Sequence, residues 1–304
     1  MQNQRVLVVA IVAVCLNATF VHAEMTVDER LARGQPDAVM AHRSAEISGI
    51  PENSLGWIEG AIDLGVDMVH INPQLTADDQ YVLMHDPTLN RMTDVERVFI
   101  NGSPNGPRRD QRGGKDYVRD YRLADIKELR LAAGQGDLKQ TVPTLQEALD
   151  FIDGRVLVVL GLKTYEVESL SKALQGRQSQ NILLWDLYFS GTDQSKLRDL
   201  SEATDLDVAV ALFRSRNYLA DLEKIYRQLG PRLKMVSVTS MRLTPGFIKR
   251  LDELGIRLMI SGFSGPEDSA LVREGDATAW EAALEHGFAA STDHPELLLD
   301  ALGR

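Results

Sequence analysis

The chain has 304 residues, 33 basic and 44 acidic side chains, a formal net charge of −11 and a 44% hydrophobic composition. A chain of this length suits one large domain or two modest ones, and it buries about three quarters of its unfolded surface without needing disulfides or metal. The ordinary apolar fraction excludes a disordered or fibrous protein, and the acidic balance argues against general nucleic-acid binding, which requires a basic face.

Residues 1–23 read as a secretory signal. Arg5 is the lone charge, residues 6–14 form the apolar core, and Val21-His22-Ala23 supplies the cleavage site. Asn17 and His22 interrupt the apolar run before it reaches the ~20 residues of a membrane span. Val14 stands where a lipoprotein signal would place a small residue before Cys15. Cleavage after Ala23 removes Cys15, so residues 24–304 carry no cysteine and no membrane span. The expected destination is periplasmic or secreted, where a chain without free thiols cannot mispair.

Short apolar runs then follow one another at 37–41, 68–71, 81–84, 156–160, 182–185, 208–212, 235–238, 257–260 and 288–291. Several are continuously apolar, as parallel strands covered on both faces should be. Helical spacing of apolar residues marks 54–64, 145–152, 218–229, 245–254 and 276–286, and Gly65, Gly230, Gly255 and Gly287 stand where left-handed caps belong. Between 68–71 and 81–84 there is only a polar turn around Ala77-Asp78-Asp79, too short for a parallel crossover. The third run is therefore expected to return as a hairpin partner of the second. Eight strand–helix units remain, which predicts a (β/α)8 TIM barrel with a β-hairpin return after the second strand, over residues 24–304. An open doubly wound sheet is the rival, but no glycine-rich phosphate loop follows the first strand.

In such a barrel, chemistry sits at the C-terminal ends of the strands. Those ends carry His42-Arg43, His70 and Asn72, His85-Asp86, Gly161 and Lys163, and Thr292-Asp293. A single histidine at a strand end is most simply a satisfied polar group. Convergence of His42, His70 and His85 with two cations is harder to ascribe to packing. A pair of histidines suits phosphodiester cleavage, one as general base and one as general acid, with Arg43 and Lys163 on the phosphate.

At these residues the chain resembles the glycerophosphodiester phosphodiesterase family. The matching blocks are Ala41-His42-Arg43-Ser44 with Pro51-Glu52-Asn53-Ser54, then Gly65 to Asn72 through Thr76, Asp79 and His85-Asp86, and then Pro87 to Thr93. Val142 to Leu149 and Ser291-Thr292-Asp293-His294-Pro295 complete the series. The resemblance implies a (β/α)8 barrel, His42 and His85 as the acid–base pair, Arg43 as a phosphate contact, and Glu52 and Asp86 in support. It also implies a divalent cation held by three carboxylates, and here those positions are His70, Asn72 and Gly161. Ca²⁺ and Mg²⁺ want charged oxygen, so the expectation is that this cation is lost and that no cofactor is used. His70 with His42 or His85 could ligate Zn²⁺ only by consuming the catalytic bases.

The related bacterial phosphatidylinositol-specific phospholipases C work without metal by means of an arginine, and a protonated His70 is the analogous expectation here, binding substrate beside Arg43 and Lys163. Residues 101–116, with Arg108, Arg109, Arg112 and Lys115, read either as a cationic lid or as a solvated excursion. Residues 46–50 form another possible rim, and Trp185 and Phe263 either line the mouth or simply pack. Three functions follow. The first is metal-independent cleavage of an anionic phosphodiester, the second is binding of a phosphorylated small molecule or phospholipid-derived ligand without turnover, and the third is a scaffold with a vestigial mouth.

Overall fold

The computed structural model describes residues 27–32, 37–131, 140–177, 181–189, 191–263 and 265–304. The signal sequence expected over 1–23 lies outside them.

Among the described residues, ten strands occur in chain order: β1 Ala38–Ala41, β2 Met68–Ile71, β3 Pro73–Leu75, β4 Tyr81–Leu83, β5 Leu157–Gly161, β6 Ile182–Leu187, β7 Val208–Ala211, β8 Leu233–Val238, β9 Arg257–Ser261 and β10 Ala289–Thr292. Eight of them close into a parallel barrel in the order β1-β10-β9-β8-β7-β6-β5-β2, with β2 returning to β1. The predicted (β/α)8 barrel is the fold. Side chains alternate along each strand, so Met40, Met68, Val159, Leu183, Met235 and Met259 fill the barrel interior. Val39, Val69, Val158, Leu184, Val236 and Ile260 face outward into the layer shared with the helices.

The helices are set by their caps. Ser54 accepts the Trp57 N–H ahead of Leu55–Asp63, and Thr144 and Glu147 form a reciprocal capping box ahead of Leu145–Ile152. Asn217 caps Tyr218–Leu229, and Thr244 with Pro245 opens Pro245–Leu254. Gly255 takes the left-handed cap at φ 67°, as its position after an apolar helix predicts. Gly230 has φ 57° but ψ −144°, so it leaves the left-handed cap for an extended exit, and Gly287 is not at positive φ.

The hairpin return is present, but its partner differs from the one expected. β4 pairs antiparallel with β3, as Pro73↔Leu83 and Leu75↔Tyr81, in a sheet outside the barrel. Asn72 separates β2 from Pro73, and a proline opening a short two-stranded ribbon removes no ladder bond from the barrel itself. After β4 the chain makes a long excursion before β5, packed on its own cluster of Val82, Leu89, Val95, Tyr121, Ile126 and Leu129. No helix among the described residues is long and apolar enough to cross a membrane.

Candidate active site

His42 follows β1, and its Nδ1 lies 2.7 Å from Oδ1 of Asp293, which follows β10. Since β1 and β10 are neighbours, the first and last strands each supply half of this pair. Ser44 donates to the same carboxylate oxygen at 2.7 Å. Behind it, buried Asp268 accepts the Thr292 hydroxyl at 2.6 Å and the Asp293 N–H at 2.8 Å, which fixes the turn. Burial holds the His42 pKa below the usual imidazole value, with Asp293 partly offsetting it. Burial also opposes ionisation of Asp293, but hydrogen bonds from His42 and Ser44 outweigh it and lower the carboxyl pKa. An ionised carboxylate only accepts, so His42 donates from Nδ1 and keeps a lone pair on Nε2.

The hairpin delivers His85. The Met84 N–H donates to the Asn72 carbonyl at 2.8 Å, and the Gln74 amide donates to the His85 carbonyl at 3.2 Å. His85 Nδ1 lies 2.8 Å from Asp86 Oδ1, so this imidazole is oriented by a carboxylate in the same manner. From Asp86 the contacts continue: Arg91 Nε donates to Asp86 at 2.6 Å, Arg91 Nη2 to Glu52 at 2.6 Å, and Arg43 Nη1 to Glu52 at 3.0 Å. Burial pulls His85 down to about 4 even though the Asp86 bond resists it. Asp86 settles at about 2, because hydrogen bonds from Arg91 and His85 overcome its own burial.

Arg43 spends one nitrogen on Glu52, and its Nε is buried without a partner. Lys163 is exposed at the mouth, and partial enclosure together with the Arg43 charge lowers its pKa. The two cations act on both His70 and His85, so the structure brings Arg43, Lys163 and the three histidines together.

His70 differs from the expectation. Its ring is 2% exposed, 5.3 Å from His42 between centroids and edge-on to Trp185 at 4.8 Å. Burial first, then the neighbouring His42 and Lys163, keep it well below the ordinary imidazole range and hence neutral. It is a wall of the mouth, not a cation. Asn72 Nδ2 lies 3.2 Å from His70 Nε2 and donates to the Gly161 carbonyl at 3.0 Å. A Cβ on Gly161 would meet His70 Nε2 at 2.1 Å and Asn72 Nδ2 at 2.4 Å. The imidazole and the amide thus fill the space that any side chain on the last residue of β5 would need. This set offers an amide N–H and a neutral ring where a hard cation requires charged oxygen, and it does not fit Ca²⁺ or Mg²⁺.

Phe263 stacks on His42 at 3.7 Å and 13°, and Phe213 bridges Phe263 and Trp185. Both aromatic residues singled out in the sequence therefore touch the histidines. A groove of about 520 Å³ lined by Ser44, Ile47, Ile50, Glu52, Arg91 and Met92 adjoins the mouth, where residues 46–50 were expected to form a rim. The arginines of 101–116 are largely paired within their own excursion. Arg109 binds buried Asp116 at 2.6 Å and the Phe99 carbonyl, and Arg112 binds Asp120. Sequence reasoning assigned no role to Asp293, Arg91 or Ser44. The only available signals were an acid just past the last strand and an arginine five residues beyond Asp86.

The family model described as the glycerophosphoryl diester phosphodiesterase family matches residues 42–279. The chain belongs to this family. Among curated glycerophosphodiester phosphodiesterases, that of Caldanaerobacter subterraneus subsp. tengcongensis is 28% identical over 123 residues, covering 40% of this chain and 42% of the relative. One from Bacillus subtilis is 30% identical over 128 residues, covering 38% of this chain and 36% of the relative. This glycerophosphoryl diester phosphodiesterase family member thus spans less than half the length of the curated relatives it matches. The structure of a glycerophosphoryl diester phosphodiesterase from Parabacteroides distasonis superposes with a TM-score of 0.70 at 21% identity, covering 92% of each chain. An Oleispira antarctica phosphodiesterase in complex with its product sn-glycerol-3-phosphate gives 0.63 at 19% identity, covering 88% of this chain and 96% of that one.

Proposed function

We propose that this family member is an exported phosphodiesterase that cleaves glycerophosphodiesters with two histidines and without Ca²⁺ or Mg²⁺. The observation that carries the reading is the matched pair His42–Asp293 and His85–Asp86. Each imidazole is anchored through Nδ1, and each Nε2 has no hydrogen-bond partner among the described residues. Arg43 and Lys163 hold the phosphodiester anion, and Arg43 Nε is a donor still to be used. One imidazole removes the proton of the attacking hydroxyl, either a glycerol-type hydroxyl of the substrate or water. Phosphorus gains that oxygen, and the other imidazole protonates the departing alkoxide. Positive charge on the anion comes from Arg43 and Lys163. His70, Asn72 and Gly161 close the place where the family's cation would sit, and the family's substrate class, supported by the product-bound Oleispira structure, supplies the ligand. Removal of residues 1–23 would place the barrel in the periplasm or outside the cell.

Hydrolysis of glycerophosphocholine and glycerophosphoethanolamine, with EDTA or with added divalent ions, tests this directly. Turnover should persist in EDTA and fall by at least about 10²-fold in His42→Ala and in His85→Ala. Equal rates in wild type and variants under every metal condition would discard catalysis in favour of phosphorylated-ligand binding, for which the same Arg43 and Lys163 suffice.

A further inference from the structure

Among the described residues, a cluster of arginines stands on loops at the barrel mouth. The loop after β7 contains Arg214 and Arg216 and the loop after β8 contains Arg242, and neither 212–217 nor 239–244 contains an acidic residue. No carboxylate lies within ion-pair distance of these three arginines among the described residues. Arg214 lies over the Phe189 ring at 4.9 Å, and Arg242 donates to the Ser215 carbonyl at 2.6 Å, so the segments after β6, β7 and β8 touch in series. Three apolar side chains project from the same stretch: Met241 at 76% exposed, Phe189 at 40% and Leu219 at 36%. Leu219 packs beside Gly246, in the helix that follows the Met241 turn in the chain. Phe213, the residue before Arg214, belongs to the aromatic set that reaches His42 through Phe263.

From this juxtaposition we infer that the face formed by Phe189, Leu219 and Met241 with Arg214, Arg216 and Arg242 docks on an anionic phospholipid surface, with the mouth turned toward the lipid headgroups. Unpaired arginines are the cations that bind phosphate, and exposed aliphatic and aromatic tips beside them enter the headgroup boundary. A nucleic acid would find no stacking platform in Met241 and Leu219, whereas exposed apolar tips of this kind are what enters a headgroup boundary. Docking needs neither catalytic histidine, so this inference stands apart from the proposed reaction.

The test uses tryptophan fluorescence of the full chain with a Met241→Trp reporter. All three native tryptophans are buried, Trp57 and Trp280 at 0% and Trp185 at 6%, so brominated acyl chains would quench mainly the new one. Brominated phosphatidylglycerol vesicles should quench Met241→Trp, brominated phosphatidylcholine vesicles should not, and 0.5 M salt should reverse the effect. A Lys249→Trp reporter, on the outer helix, should be silent on both. Adding Arg214→Glu and Arg216→Glu should weaken partitioning by about 25-fold or more at an unchanged melting midpoint. Absence of quenching on phosphatidylglycerol, equal quenching at Lys249→Trp, or indifference to the two charge reversals would each overturn the docking face. So would retention on heparin without vesicle binding, which would make the patch a polyanion site.

Discussion

At the residue scale, the candidate chemistry depends on two carboxylates that each hold an imidazole. Asp293 and Asp86 fix the Nδ1 proton of His42 and His85, and both stay ionised well below neutrality, so each Nε2 presents a lone pair at pH 7. General-acid work requires one of the imidazoles to be protonated. With His85 near 4 and His42 below 6.5, that mixed state is most populated under mildly acidic conditions. The kcat/KM profile of glycerophosphodiester hydrolysis should therefore be a bell centred below pH 6.5, and an optimum above 7 would contradict these environments. Asp293→Asn should lower kcat by about 10²- to 10⁴-fold with little change in KM, since a carboxamide can offer the ring the wrong partner. Loss of KM alone would mean that Asp293 binds and does not orient.

At the element scale, the end of β5 decides what the mouth can hold. Gly161 pairs alongside β6 while its Cα faces His70 of β2 and Asn72 just beyond it, and there is no room for a Cβ. Gly161→Ala should cost about 1–3 kcal/mol by forcing those two side chains aside. In a His70→Ala background the penalty should shrink, because one of the two obstructions is gone, and a thermal-melt double-mutant cycle reads the difference. Additive penalties would show that Gly161 is constrained by backbone geometry and not by the imidazole.

How much of this could be read beforehand follows the same physics. Period-two burial and helical caps depend on neighbours in sequence, so β2 at 68–71 and the helices at 145–152, 218–229 and 245–254 were legible to the residue. The hairpin followed from the shortness of one linker, but its partner did not, because Pro73–Leu75 carries no strand signature of its own. The pairing of His42 with Asp293 is a contact 251 residues apart in sequence, and His70's neutrality is a property of what surrounds it. Neither is visible locally. The arginines of 101–116 looked available because Asp116 and the Phe99 carbonyl, which bind Arg109, have no local mark of that role.

At the scale of the whole molecule, one buried and one half-buried histidine, His42 and His85, both held neutral, make the fold sensitive to acid. A histidine whose folded pKa lies below its unfolded value contributes no penalty above about pH 6.5, and it destabilises the fold as pH falls from there toward the folded value. Stability should therefore decline between about pH 6.5 and 4, where His85 and His42 are charged in the unfolded chain but resist charging in the barrel. His85→Gln should flatten part of that decline in melting midpoint measured against pH. A wild-type midpoint constant over this interval would argue against the buried, neutral state.

The closure of the barrel has a bearing on timing as well as shape. β1 leaves the ribosome long before β10, and until Ala289–Thr292 docks against Ala38–Ala41 the imidazole of His42 lacks the carboxylate it pairs with. Synthesis of the last strand, not the first, is therefore the event that completes the His42–Asp293 pair. A partly emerged or C-terminally clipped chain carries His42 and His85 and still lacks the carboxylate that sets the proton on His42, so the order of strands along the polypeptide leaves this pair incomplete in unfinished copies.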